Sequence, residues 1–312
     1  MADHDMNEGN LRPRSAHDVW AFCLAVTGYG LFFRVFFHQA FASAYLIAPS
    51  DALDFGVASY LATPSIWTEG MYSGYPIAAD PQSLIFYPLL MAFRAAGLGW
   101  NTFMVAPFAI AAASTFLLVR RLTGASLAAV FSGFAFGFAG PMLGNMGHFN
   151  QLHAVAWAPL FLYGLQRIRE DRYRSGAAVA APAFALMWLA GHPQLPVYVS
   201  YVAAAFVVGS LLLDRPDSTV ARARLGWCAA AVGVGAGLAA ISVIPTIELT
   251  QYSSRAEASW DLYTGRAVPP WQMLSLLFPF AFGLWADHGR SVGYFGDGAA
   301  GENLADRKST RL

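Results

Sequence analysis

The chain is expected to be an all-α, polytopic membrane protein with about seven transmembrane helices and a large loop after the first. Three observations predict this. Hydrophobic residues make up 56% of the 312 positions and charged residues only 12%, against roughly 25% charged in a soluble globular chain. Seven runs read as spans, which need about 20 mostly apolar residues: 19–37, 102–119, 125–143, 152–168, 177–190, 195–213 and 225–247. The arginines fall in groups between those runs, in the places that simple alternation of the spans would put on one side of a membrane.

The segment 1–18 is a polar tail of mixed sign without a signal-peptide cleavage pattern, so the first run is expected to stay as an anchor. The remainder, 19–305, is one membrane domain whose first loop spans 38–101. In that loop Ser50 is placed to cap a short helix starting at Asp51, which would set Asp51 and Asp54 three apart on one face. Residues 67–88, WTEGMYSGYPIAADPQSLIFYP, mix carboxylates, rings, turn formers and an amide. An ordered loop of that kind is a candidate site, with an interfacial aromatic belt as the structural alternative. Residues 86–97 suit a helix lying at the membrane surface. Gly133 with Gly137, Gly140 with Gly144 and Gly233 with Gly237 have the spacing that lets spans pack closely. A weaker apolar segment, 271–285, reads as interfacial or re-entrant. The tail 306–312, DRKSTRL, holds the single lysine, Lys308, and reads like translated adapter sequence, so it is set aside as non-native.

Orientation follows from arginine placement. Arg12 and Arg14, Arg120 and Arg121, Arg167 to Arg174, and Arg215 to Arg224 share one side if seven spans alternate. Short arginine-rich loops stay cytoplasmic. The N-terminus is then cytoplasmic, and the loop 38–101, the connections 140–151 and 191–194, and the region after about 245 lie outside. Asp51, Asp54, Glu69, Asp80, His148, His192 and Glu248 would share that outer face.

Several function classes lose support. A net charge of zero gives no basis for nucleic-acid binding. Cys23 and Cys228 lie in apolar runs and imply no disulfide framework. No glycine-rich phosphate loop, Ser-His-Asp pattern, CxxC or HExxH is present, so neither ATP-driven transport nor a zinc site is indicated, and no metal ligands are assigned.

The candidate residues each carry two readings. Asp51 and Asp54 are a general base or metal-holding acid, or acids favoured at a helix start. Asp80, before Pro81, lines a site or opens a turn. Arg34, inside the first apolar run, meets a phosphate or snorkels outward. His148 and His192 stand at matching span edges, facing a ligand or serving as caps. Glu69, Tyr75 and Gln82 are the remaining polar and aromatic groups offered by the loop. The pieces 147–152 and 191–195 echo each other, and Asp80-Pro81-Gln82 resembles the second.

The combination Gly74-Tyr75-Pro76, Ala79-Asp80-Pro81-Gln82, Phe86-Tyr87-Pro88, Ala156-Trp157-Ala158-Pro159-Leu160 and Ala190-Gly191-His192-Pro193-Gln194 resembles the bacterial YfhO-type membrane proteins, across nearly all of 19–302. That family is similar to the GT-C glycosyltransferases, polytopic enzymes that use polyprenyl-phosphate sugars on the extracytoplasmic face. The resemblance implies a catalytic acid in the first outer loop, which maps onto Asp51 with Asp54 beside it, although that loop lacks the adjacent acid pair common in GT-C enzymes. It also implies a chain longer than this one.

The expected function is therefore transfer of a sugar from a polyprenyl-phosphate donor to a cell-envelope polymer or lipid at a bacterial inner membrane. Asp51 would take the acceptor proton, Arg34 would hold the donor phosphate, and the loop aromatics would stack on sugar faces. A divalent metal cofactor is left open. The alternative is a non-catalytic transporter or lipid- or polymer-binding protein. It would place ionisable groups mid-span, where this sequence has almost no carboxylates.

Overall fold

A computed structural model describes residues 16–42, 45–49, 51–61, 64–71, 73–253, 256, 260, 270–278, 281–282, 284–285 and 291–292. The chain divides into two compact units, Met1–Val243 and Ile244–Leu312.

Among the described residues the named elements of the first unit are all helical, and the last of them, Ser218–Gln251, runs on into the second unit. The first unit starts with α1 (Ala16–Phe36) and the short α2 (His38–Ala42). The long loop follows, holding a π-type turn (Ala52–Val57), α3 (Ala58–Leu61), two 3₁₀ turns (Ile77–Ala79 and Pro81–Ser83) and α4 (Pro88–Ala95). Then come α5 (Trp100–Thr123), α6 (Ser126–Gly137), α7 (Gly140–Gly144), α8 (Phe149–Ala156), α9 (Ala158–Arg169), α10 (Tyr173–Leu189), α11 (Gln194–Asp214) and α12 (Ser218–Gln251). Among the described residues of the second unit are a 3₁₀ turn, Pro270–Leu276, and a two-residue antiparallel pair, Leu284–Trp285 with Ser291–Val292. The segment 271–285 thus contains a turn in which Trp271 packs edge-on against Phe282, with centroids 5.0 Å apart. The tail 306–312 lies outside the described residues.

Five described helices are long and apolar enough to cross a membrane: Val19–Phe36, Trp100–Thr123, Ser126–Gly144, Gln194–Asp214 and Ser218–Gln251. The chain is an α-helical membrane protein. The other two expected spans are helical but differ in form. The fourth breaks at Trp157 into α8 and α9, because Pro159 cannot donate into a continuous ladder. The fifth, α10, has 17 residues, about 25 Å at 1.5 Å per residue, short of a hydrocarbon core of roughly 30 Å.

Close packing at glycines draws the bundle together. A Cβ at Gly133 would lie 2.7 Å from the Ala112 carbonyl, and one at Gly137 would lie 2.9 Å from that of Phe108, so α6 presses its backbone onto α5. Tyr29 of α1 fills the same junction, its hydroxyl donating to the Val130 carbonyl at 2.9 Å. Gly164 and Gly176 bring α9 and α10 equally close. The other two expected glycine pairs do not pack: a Cβ at Gly140, Gly144, Gly233 or Gly237 would meet nothing within 4 Å. On α12 it is Gly235, between the expected pair, that faces Ala181 of α10.

At one end of α5 the arginine groups meet. Arg121 pairs with Glu170, Arg169 with Asp214 at 2.6 Å, and Arg224 with Asp214 at 2.9 Å and Asp171 at 3.2 Å. The ends of α5, α9 and α11, the turn into α10 and the start of α12 are therefore tied together on one face of the first unit. The long loop gathers at the opposite end of α5.

Candidate functional site

The loop is clamped where α5 begins. Trp100 Nε1 donates to the Ile47 carbonyl at 2.8 Å, and Asn101 accepts from Ile47 N at 2.8 Å while donating to the carbonyls of Ala40 and Tyr45. Tyr60 donates to the Leu98 carbonyl, and Arg94 of α4 grips the carbonyls of Ser59 and Tyr60. These bonds satisfy loop backbone that would otherwise be buried without partners.

Further along, Asp80 organises the turns. Its carboxylate accepts from Gln82 N at 2.9 Å, capping the second 3₁₀ turn, and from the Tyr75 hydroxyl at 3.2 Å. Gly191, in the connection between α10 and α11, presses on that turn: a Cβ there would lie 2.1 Å from the Pro81 carbonyl oxygen. The two echoing segments, Asp80-Pro81-Gln82 and Gly191-His192-Pro193-Gln194, are thus packed on each other. The π-type turn that follows Asp51 contacts the same 3₁₀ turn.

Around this junction three titratable side chains converge from three segments. His148 Nδ1, just before α8, lies 3.3 Å from Asp51 Oδ2, both side chains being roughly half exposed. His192 is half-buried. Its pKa is held below the ordinary 6.5, first by burial and then by the charge of neighbouring His148. A cavity of about 260 Å³ is lined by Ser59, Ser65, Thr68, Tyr75, Asp80 and Gln82 among others, with Met71, Ile77, Ile85 and Arg94 at its wall; Asp51, His148 and His192 do not line it. The lining mixes hydroxyls, an amide, a carboxylate, a guanidinium and a ring, which suits a polyhydroxylated ligand.

The sequence-based candidates sort accordingly. Asp51, His148 and His192 meet at the junction, and Tyr75, Asp80 and Gln82 line the cavity. Asp80 also fulfils its turn reading. Glu69 is exposed on the tight excursion closed by the Thr68–Tyr75 bridge. Arg34 is exposed on α1, with its guanidinium 4.1 Å above the Phe41 ring. Among the described contacts none joins it to Asp51 or the histidines. Asp54 falls in the π-type turn, and its side chain and all of Ser50 lie outside the described residues. The widened turn replaces the regular helix expected at Asp51. Among the described residues no three His, Cys, Asp or Glu side chains are placed to hold a metal ion.

Sequence reasoning missed a buried polar chain beneath this junction. Trp157 Nε1 donates to the Tyr87 hydroxyl at 2.9 Å, and that hydroxyl lies 3.3 Å from His153 Nδ1. That contact is one hydrogen bond whose direction follows the His153 tautomer. His153 is fully buried and stacks on Phe103 with centroids 4.1 Å apart. Its Nε2 faces the Phe103 carbonyl without full hydrogen-bond geometry. Pro107, four residues on, has no N–H for that carbonyl. The available signal was a histidine inside an otherwise apolar run.

Comparison of the chain with protein-family models, with curated proteins and with solved structures gives no match. The functional reading therefore rests on the residues themselves.

Proposed function

We propose that the chain is a GT-C-like membrane glycosyltransferase of the YfhO type, with seven spans, a cytoplasmic N-terminus and its long loop outside the bacterial inner membrane. It transfers a sugar from a polyprenyl-phosphate donor to a cell-envelope polymer or lipid. The observation that supports this best is the Asp51–His148 pair, 3.3 Å apart, next to the turn that contacts the 3₁₀ turn carrying Gln82, which lines a cavity together with Tyr75 and Asp80. Asp51 removes the acceptor hydroxyl proton. His148 orients that carboxylate and stabilises its charge. Tyr75 and Gln82 hold the sugar by ring stacking and amide hydrogen bonds. The donor phosphate is not assigned to Arg34, which stacks on Phe41. The seven-span reading adds the broken α8–α9 helix and the short α10 to the five long spans. It is supported by the ion-pair network, which groups the ends that alternation places together.

The test is transfer from radiolabelled polyprenyl-phosphate sugars to envelope acceptors by the purified chain in proteoliposomes. Loss of a general base commonly costs 10²–10⁴-fold in rate, so Asp51→Asn should lower transfer by that much while membrane insertion is unchanged. Full transfer by Asp51→Asn would remove it as the base. Absence of transfer by the native chain with every donor would leave the non-catalytic binding or transport reading.

A further inference from the structure

The long loop exposes large apolar side chains on an edge that its own backbone holds in place. Leu61 is 73% exposed, Ile66 68%, Trp67 52% and Met71 43%. Large apolar side chains exposed along one segment point to a partner or a membrane. The edge is bonded to the residues just before a span. Tyr60, next to Leu61, donates its hydroxyl to the Leu98 carbonyl, two residues before α5 starts at Trp100. The Ile66 carbonyl accepts from Ala78 N at 3.1 Å. The Trp67 ring lies so close over Gly74 that a Cβ there would come within 2.7 Å of it. The same edge forms part of the cavity wall: Pro64, Ser65, Thr68 and Met71 line it, flanking Ile66 and Trp67.

We infer that Leu61, Ile66, Trp67 and Met71 are seated in the adjacent lipid leaflet, so that the cavity opens into the headgroup layer and takes the polar head of a membrane amphiphile. The occupant is lipid because the edge continues from the mouth of a membrane-spanning helix. An amphiphile's head would reach the hydroxyls of Ser59, Ser65 and Thr68 without its tail leaving the bilayer. This seating does not depend on the transfer chemistry proposed above.

Spin labels test it. In a chain with Cys23 and Cys228 replaced by serine, single cysteines at Leu61, Ile66 and Glu69 carry a nitroxide in liposomes of phosphatidylethanolamine and phosphatidylglycerol. Labels at 61 and 66 should be accessible to oxygen and closed to a water-soluble nickel complex, with the reverse at 69. Nickel access at 61 and 66 would place the edge in water, and closure to both reagents would mean that protein covers it. Either result overturns the inference. A label at Ser65 should also broaden when phosphatidylcholine with a headgroup nitroxide is added. A spectrum unchanged by that lipid would refute the headgroup opening. None of these readouts requires transfer, so failure here is separable from failure of the glycosyltransferase reading.

Discussion

Gly191 adopts φ +80° against the Pro81 carbonyl, so a side chain there is opposed by both backbone and neighbour. Left-handed backbone costs a non-glycine residue about 1–2 kcal/mol, and overpacking adds about 1–3 kcal/mol. Gly191→Ala should therefore lower the unfolding free energy by about 2–5 kcal/mol in sum. Gly209→Ala on α11, where a Cβ meets nothing within 4 Å, should not. Thermal melts in detergent would compare the two. His192, next in the chain, gives a pH effect of defined sign. Its folded pKa lies below 6.5, so the unfolded chain binds more protons in the window between the folded value and 6.5. Its contribution is present above pH 6.5 and is lost as pH falls through that window. The melting temperature should drop from pH 7.5 toward pH 5.5, and His192→Gln should flatten that slope. A slope unchanged by the substitution would assign the effect elsewhere. At this scale Asp51, His148 and His192 were legible, because each stands alone at the edge of an apolar run. Arg34 shows what was hidden: an arginine one turn from a span's end satisfies snorkelling and phosphate binding equally in sequence. The structure adds that its guanidinium lies over the ring of Phe41.

Among the elements, α11 and α12 are joined to α9 through Asp214, which pairs with both Arg169 and Arg224. Exposed pairs contribute about 0.2–1 kcal/mol each, so Asp214→Asn should destabilise by about 0.4–2 kcal/mol for the two together. Added salt should reduce the difference in melting temperature between the variant and the native chain. An equal difference at low and high salt would show that the network contributes through packing. The arginines of this network were legible, but their carboxylate partners lie up to 53 residues away, as Asp171 does from Arg224. Linear sequence does not show which ends meet. The break at Trp157 was marked by Pro159, yet the run 152–168 reads as one span because apolar composition continues through it. Glycine spacing identified the α5–α6 contact and missed Gly235, since spacing alone does not say which helix face meets a neighbour.

For the whole molecule, topology is the decisive expectation. Single cysteines at Ser73, in the long loop, and Ser175, beside the ion-pair network, should label from opposite sides of the membrane with an impermeant thiol reagent, Ser73 from outside. Labelling of both from one side would remove an odd number of crossings between them and with it the seven-span arrangement. Composition made the membrane class legible, and arginine alternation made the grouping of helix ends legible. The cavity was not, because it is built from turns at 59–85 whose backbone geometry depends on Arg94, Leu98 and Gly191.

The buried histidine gives α5 an unusual sensitivity. Replacing a proline within a helix normally restores a ladder bond and relieves a penalty of about 3 kcal/mol. At Pro107 the new N–H would compete for the Phe103 carbonyl that His153 Nε2 faces. A buried donor left without an acceptor costs about 1–3 kcal/mol. Pro107→Ala should therefore gain less than usual alone and more when combined with His153→Leu. The two positions would behave as one unit of inheritance, each substitution tolerated chiefly in the company of the other.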